Sequence, residues 1–520
     1  MPRRVSALLT ALLTVSAVAP ASAQQGEPLS VIDWLDSEDA LTRTAQRPPA
    51  QPQEPEEPPV AISATPPAVE VRPLDTDAPR NIGLVPRAVT GLPANLWSGT
   101  EADTLVRLIE RLPDPRLPAG NALLYTVLLA EADAPKGGKE GEDALTLARV
   151  RKLVDLGALD PAASLIELAG ATASPAHFAL WSDISLLTGH EEAVCTTLAA
   201  TPHLSSDYGL QIFCDARNGH WEDAALTLGS VDALGLLPRE KLNVLARFLD
   251  PEYFEGMPPL PRPREIDPLT FRLYEAIGEP LPTGPLPRPY AVADLRDLAG
   301  WKSQLEAAER LTRTGALPDN RLLGIYSDRK PAASGGIWDR VDALRRFETA
   351  LATGSTEAVS KTLPPVWEAM RQARLEVSFA GLFAEALAAL PLEGNAARLA
   401  FRIGLLSPRY ETIATGHRDT RDDLLVSIAT GTAPARRPTD ALEAAIHDAF
   451  AEPTPRADLV AAARASELGA TILRCLILLH DGAEGDAAAL RDALSTLRTL
   501  GLEDTARRAA LQVLLLDRAT

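Results

Sequence analysis

The sequence predicts an all-α protein: a right-handed superhelical solenoid of helical hairpins, preceded by a disordered Pro-rich segment. Three observations predict it. From Leu96 almost to the end, apolar residues recur at three- and four-residue spacing with no comparable strand alternation. One helix-turn-helix phrase occurs twice at a thirty-residue offset, as Leu187-Thr188-Gly189-His190-Glu191-Glu192-Ala193 and as Arg217-Asn218-Gly219-His220-Trp221-Glu222-Asp223-Ala224. Ahead of both lies a stretch dense in proline. In each phrase a glycine that tolerates positive φ ends one helix, and acidic residues then suit the positive end of the next helix dipole. A hairpin that small cannot bury its own apolar stripe, so it must stack on neighbours.

In chain order, Met1 to Ala23 has a basic start (Arg3, Arg4), an apolar run from Ala7 to Val18 and Ala21-Ser22-Ala23 before Gln24, the three elements of a secretory leader. Cleavage after Ala23 removes two arginines and no acid, taking the formal charge from -19 to -21 over 497 residues. A chain so acidic is a poor partner for nucleic acid or anionic lipid, which require clustered Lys and Arg. No later stretch approaches the roughly 20 apolar residues of a membrane span, so none is expected. The mature protein is expected in the periplasm.

Residues 24–86 read as a Pro-rich tether that favours extended, unpacked chain. One island, 29–36, interrupts it: as a helix capped by Ser30 it would gather Val31, Ile32, Trp34 and Leu35 on one apolar face, a candidate docking segment. Residues 87–257 form a first helical-repeat block, with helices expected at Thr100 to Leu112, Asn121 to Asp133, Asp143 to Leu156, Pro161 to Leu168, Pro175 to Leu187, Glu191 to Ala200, Asp207 to Arg217 and Trp221 to Leu228. Residues 258–292 are a Pro-rich connector around one helical island, Leu269 to Ile277. Residues 293–520 form a second block, broken between Leu363 and Pro365, at Leu405 to Pro408 and at Pro434 to Pro438, with the final helices as its terminal cap.

Three cysteines are too few for a disulfide framework. Cys195 and Cys214 lie on consecutive helices and are the candidate pair. Their register speaks against a bridge: about five residues before one helix end set against about nine after the next start is an offset of roughly 6 Å at 1.5 Å per residue. Buried free thiols are the expectation.

The phrase at Gly189, its copy at Gly219 and the later Gly501-Leu502-Glu503-Asp504-Thr505-Ala506 resemble the Gly-x-x-Glu-Ala start of the second helix in tetratricopeptide repeats. The Trp, Leu-Gly and Tyr positions of that family's first helix are missing, so the resemblance implies divergent repeats or a related helical-hairpin solenoid.

Catalytic patterns fail one by one. Ser327-Asp328-Arg329-Lys330 has the Ser-x-x-Lys spacing of penicillin-binding enzymes, but Pro331 follows and no Lys-Thr-Gly exists. His190-Glu191 lacks the second histidine of a zincin, because position 194 is valine. Gly138-Lys139 lacks the upstream glycine and the Ser or Thr of a phosphate loop. His177, His190, His203 and His220 with Cys195 and Cys214 have no ligand-pair spacing and read as turn residues. Lytic transglycosylases, some of which carry a helical superhelix, place serine after the catalytic glutamate, and no Glu-Ser dipeptide occurs. Ser334-Gly335-Gly336-Ile337-Trp338-Asp339-Arg340 delivers a tryptophan and an arginine at a helix start, either as a core turn or as an exposed anchor.

The function expected is that of a periplasmic helical-repeat scaffold or adaptor that binds proteins of the cell envelope. Its candidate contacts are Val31, Ile32, Trp34, Leu35, Trp338 and Arg340, and no catalytic, cofactor or metal residues are expected. The competing expectations are an envelope glycan hydrolase or lyase with an unrecognised acidic site, and a peptide- or glycan-binding module that uses the solenoid groove.

Overall fold

A computed structural model describes residues 81–516 apart from Asp297, Ala332 and Arg418. The leader, nearly all of the tether and the island with Val31, Ile32, Trp34 and Leu35 lie outside the described residues. Within them the chain is helical throughout, with no strand beyond the isolated bridges Val85–Ala130 and Glu101–Lys136.

The first half holds α1 (Ala102–Arg111), α2 (Pro118–Leu129), α3 (Gly138–Asp155), α4 (Leu159–Ala169), α5 (Pro175–Thr188), α6 (Glu191–Ala200), α7 (Tyr208–Arg217), α8 (Trp221–Leu234), α9 (Arg239–Leu249) and α10 (Pro268–Ala276). The second holds α11 (Trp301–Thr312), α12 (Asp319–Ser327), α13 (Ile337–Ala352), α14 (Thr356–Ala373), α15 (Glu376–Ala388) and α16 (Gly394–Leu405). It continues through α17 (Tyr410–Thr415), α18 (Asp423–Thr430), α19 (Ala441–Ala451), α20 (Ala457–Arg464), α21 (Leu468–Ala483), α22 (Ala487–Thr499) and α23 (Glu503–Leu515).

The duplicated phrase folds as its residues dictate. Gly189, Gly219 and Gly501 adopt φ of 84°, 86° and 84°. In each turn the next amide reaches back five residues, from His190 to the Ser185 carbonyl, from His220 to Asp215 and from Leu502 to Leu497. That is the Schellman closure, which satisfies carbonyls a helix end leaves orphaned. Helix starts are fixed by side chains that accept from backbone amides: Ser174 for α5, Asp207 for α7, Asp267 for α10 and Asp486 for α22.

Three sequence expectations are corrected by the fold. The tether does not run to Pro86, because Ile82 and Val85 are buried. Buried Arg149 of α3 donates to the Ile82, Leu128 and Ala130 carbonyls at 2.8, 2.7 and 3.1 Å, tying this segment to the end of α2. Residues 258–292 do not merely connect two blocks. Helix α10 packs on α5, and Arg288 donates to the Asp155 carbonyl (2.8 Å) and the Asp114 carboxylate (2.5 Å). No break separates Leu363 from Pro365, since α14 runs through Pro364 and Pro365. Both prolines are exposed, so water can serve the carbonyls they leave unbonded, while Val359, Leu363, Val366 and Met370 keep one buried stripe.

Many consecutive helices pack on each other, among them α6 on α7, α7 on α8, α13 on α14 and α21 on α22, but the final helices are not a free terminal cap. Helix α21 packs on α1 and α2, and α23 packs on α2. The reason is local. The residue before α2, Leu117, has no side chain to accept from the first amides, and the Gln512 side chain of α23 does so instead, accepting from Ala119 N at 2.9 Å. Gly469 of α21 lies against Trp97, where a Cβ would meet the ring at 2.5 Å, so only glycine permits the approach. Arg116 pairs with Glu484, and His480 Nδ1 lies 3.1 Å from the Asp114 carbonyl.

Candidate functional site

Of the anchors expected on the described residues, neither is an exposed one. Trp338 is half-buried and packs on Trp301, ring centroids 5.2 Å apart, against the core of the second half. Arg340 is turned inward. Its Nε and Nη2 donate to the two oxygens of Glu309 at 2.6 and 2.9 Å, and the Tyr326 hydroxyl donates to Glu309 at 2.5 Å. Arg313 adds a fourth contact at 3.2 Å. Burial disfavours the Arg340 cation, yet the bidentate hydrogen bond to Glu309 outweighs it and its pKa lies above the usual value. Burial beside the same carboxylate pushes the Tyr326 hydroxyl well above its usual range. Glu309 is 3 % exposed, so this is a structural ion-pair network, and the Gly335-Gly336 turn serves to start α13 over it.

Cys195 and Cys214 are joined by a disulfide with Cα atoms 4.7 Å apart, which corrects the expectation of free thiols. Helix α7 starts at Tyr208, one residue after the expected Asp207, and Cys214 lies six residues into it, not about nine, while Cys195 lies five before the end of α6. The axial offset falls to about one residue, roughly 1.5 Å, and the two Cβ atoms can meet. Cys475 is a buried free thiol, and burial pushes its pKa up to about 12. Ser327 ends α12 instead of opening a helix, which leaves its Ser-x-x-Lys spacing without the placement that chemistry needs. Among the described residues no group of three or more His, Cys, Asp or Glu side chains is arranged to hold a metal ion.

Two surfaces stand out that single-sequence patterns did not mark. The first is α8, which buries only Ala224 and Val231. At 100° per residue these share a stripe with Leu228, while Glu222, Leu226, Gly229 and Ala233 form the opposite one. Leu226 and Leu234 are 72 % and 71 % exposed, Trp221 and Leu236 are also exposed, and the space beside Gly229 is open. Trp221 is held in place from one side by Phe248 of α9, which stacks in turn on Phe213. The helix carries Glu222, Asp223 and Asp232 and no basic residue. A second stripe with Leu226, Gly229 and Ala233 and one acid, Glu222, is less polar than an ordinary solvated helix face.

The second is a cleft of about 480 Å³ where the two ends of the described chain meet. The loop before α2 supplies Arg116, α14 supplies Trp367 and Arg371, α16 supplies Leu399 and Arg402, and Leu406, Leu442 and the end of α23 supply apolar wall. Three arginines thus face the space against a single glutamate, Glu484, in a chain where acids outnumber bases 70 to 51. Arg116 pairs with Glu484 and Arg371 with Glu368, whereas Arg402 is exposed on α16 with no carboxylate in ion-pair range among the described residues.

A carboxyl group with unusual titration lies elsewhere. Asp183 on α5 keeps contact with solvent but is crowded by the starts of α7 and α10. Desolvation first, then the neighbouring Asp267 and Asp207 carboxylates, push its pKa up to about 7 against the opposing pull of Lys241. Lys241 itself is engaged by Asp267 at 2.7 Å. Comparison of the chain with family models, with curated proteins and with solved structures finds no match.

Proposed function

We propose that the protein is an exported periplasmic scaffold or adaptor, a solenoid-like helical body that holds another envelope protein and performs no catalysis. The observation that carries it is the uncovered face of α8. Exposed Leu226 beside the open Gly229, with exposed Leu234 at the flank of the same stripe, gives a partner helix apolar area and close approach. Glu222 and Asp223, with Asp232 already paired to Arg239 at 3.1 Å, leave the helix net acidic and select the partner's chemistry, a basic amphipathic segment. A second copy of this face would set acid against acid, and an anionic membrane surface would be repelled in the same way. The leader-like start and the Cys195–Cys214 bridge both fit an oxidising compartment outside the cytoplasm.

The test uses an 18-residue Leu/Lys amphipathic helix as probe and its Leu/Glu counterpart as control. Saturable one-to-one binding of the Lys peptide, weakened at least tenfold by Leu226→Arg and untouched by Leu168→Arg on α4, supports the proposal. Binding insensitive to Leu226→Arg, or equal binding of the Glu peptide, contradicts it. A second function, glycan hydrolysis, is favoured by one observation: a carboxyl titrating near 7, as Asp183 does, suits a general acid. Release of muropeptides from peptidoglycan by the purified protein, abolished by Asp183→Asn, would replace the scaffold with an enzyme.

A further inference from the structure

We propose that the cleft between α14, α16 and the end of α23 binds an amphiphile with an oxyanion head, a carboxylate or phosphate monoester on an apolar tail. Its volume of about 480 Å³ lies within the range of small-molecule sites, and its lining is chemically mixed. It combines cationic groups, Arg116, Arg371 and Arg402 from three separate segments of the chain, with apolar ones, Trp367, Leu399 and Leu442 half-buried and Leu406 buried. Trp367 lies one turn from Arg371 on α14 and Leu399 one turn from Arg402 on α16, so each helix offers both chemistries to the space.

Guanidinium groups bind carboxylate and phosphate through paired N–H donors, and an apolar wall alongside recognises a hydrocarbon tail by the surface it removes from water. Two of the three arginines are offset, Arg116 by Glu484 and Arg371 by Glu368, which leaves the Arg402 charge unbalanced at the cleft. An anionic head neutralises that charge, which a neutral ligand cannot do. Arg402 is the residue on which the head is placed, because it extends from α16 into the cleft without a carboxylate partner among the described residues. The site lies on other helices than the α8 face and stands or falls independently of it.

Isothermal titration of the full chain with dodecanoate, dodecyl phosphate, dodecanol and inorganic phosphate, below micelle-forming concentrations, tests the site. One-to-one binding of a charged amphiphile at least tenfold tighter than dodecanol is expected, and the two charged probes tell which head fits better. Arg402→Glu, on an exposed position that should leave the melting temperature unchanged, is expected to weaken that binding tenfold to a hundredfold. Leu442→Glu, which places a charge in the apolar part of the lining, is expected to weaken the amphiphiles by a similar factor. Equal affinity for dodecanol, affinity for inorganic phosphate matching that of the amphiphiles, or indifference to Arg402→Glu would each overturn the proposal.

Discussion

Helices α8 and α21 are of similar length, 14 and 16 residues, and are treated very differently by the fold. Helix α21 is packed by α20 and α22 from its own end of the chain and by α1 and α2 from the other, and it buries residues around its circumference, from Gly469 to Gly482. Helix α8 is packed by its sequence neighbours α7 and α9, and buries two residues. Chain neighbours cover one stripe of a repeat helix; a second stripe is covered only where a distant segment returns. At α21 the chain itself returns, and at α8 nothing among the described residues does.

The largest expected effects follow from that contrast. Leu473→Ala in α21 removes a fully buried side chain and should cost about 2–5 kcal/mol in chemical denaturation, whereas Leu226→Ala in α8 should stay within about 0.5 kcal/mol. Equal costs at the two sites would erase the distinction. Next comes the staple that holds the α6–α7 hairpin leading into the poorly covered helix. Opening the Cys195–Cys214 bridge, which closes a separation of 19 residues, should cost about 3 kcal/mol, read as a fall in denaturation midpoint under reductant and in Cys195→Ala/Cys214→Ala. Native protein should also expose no reactive thiol, since Cys475 is buried.

The smallest expected effect lies at Asp183, exposed on α5. Its folded pKa of about 7 exceeds the ordinary value of about 3.9, so the stability it contributes is complete below pH 4 and is lost as pH rises through 7. Asp183→Asn should therefore be more stable than the parent at pH 8, by about 1 kcal/mol after allowance for its solvent contact, with the gap closing towards pH 4. A gap that is constant with pH would mean that the crowding by Asp207 and Asp267 is not felt.

What the sequence made legible was local. The turns at Gly189, Gly219 and Gly501 could be read because positive φ demands glycine and the acids after it mark a helix start. Helix α9 could have been read too, from Pro238 just before its start and Leu242, Leu245 and Leu249 at helical spacing, but its polar opening Arg239-Glu240-Lys241 masked the pattern. The disulfide is missed through the register and not through the helix start, expected at Asp207 and found at Tyr208: Cys214 lies six residues into its helix instead of about nine, and nearly a turn is enough to pull a pair of Cβ atoms out of reach. The segment of Arg340 reads equally as a core turn or an exposed anchor, because nothing within it reveals Glu309, 31 residues away on α11. The cleft had no signature at all, since Arg116 and Arg402 meet only through the return of the last helices, and neither its charge nor its wall exists in any one stretch.

The joining of the last helices to the first is tested most directly by hydrogen exchange of Gly469→Val against the parent protein. A side chain at 469 would drive into the Trp97 ring. The expected result is lost protection in both 102–129 and 468–515, segments more than 300 residues apart, with 191–217 unchanged. Loss confined to 468–483, with α1 and α2 as protected as before, would show that the ends do not support each other and would contradict the account.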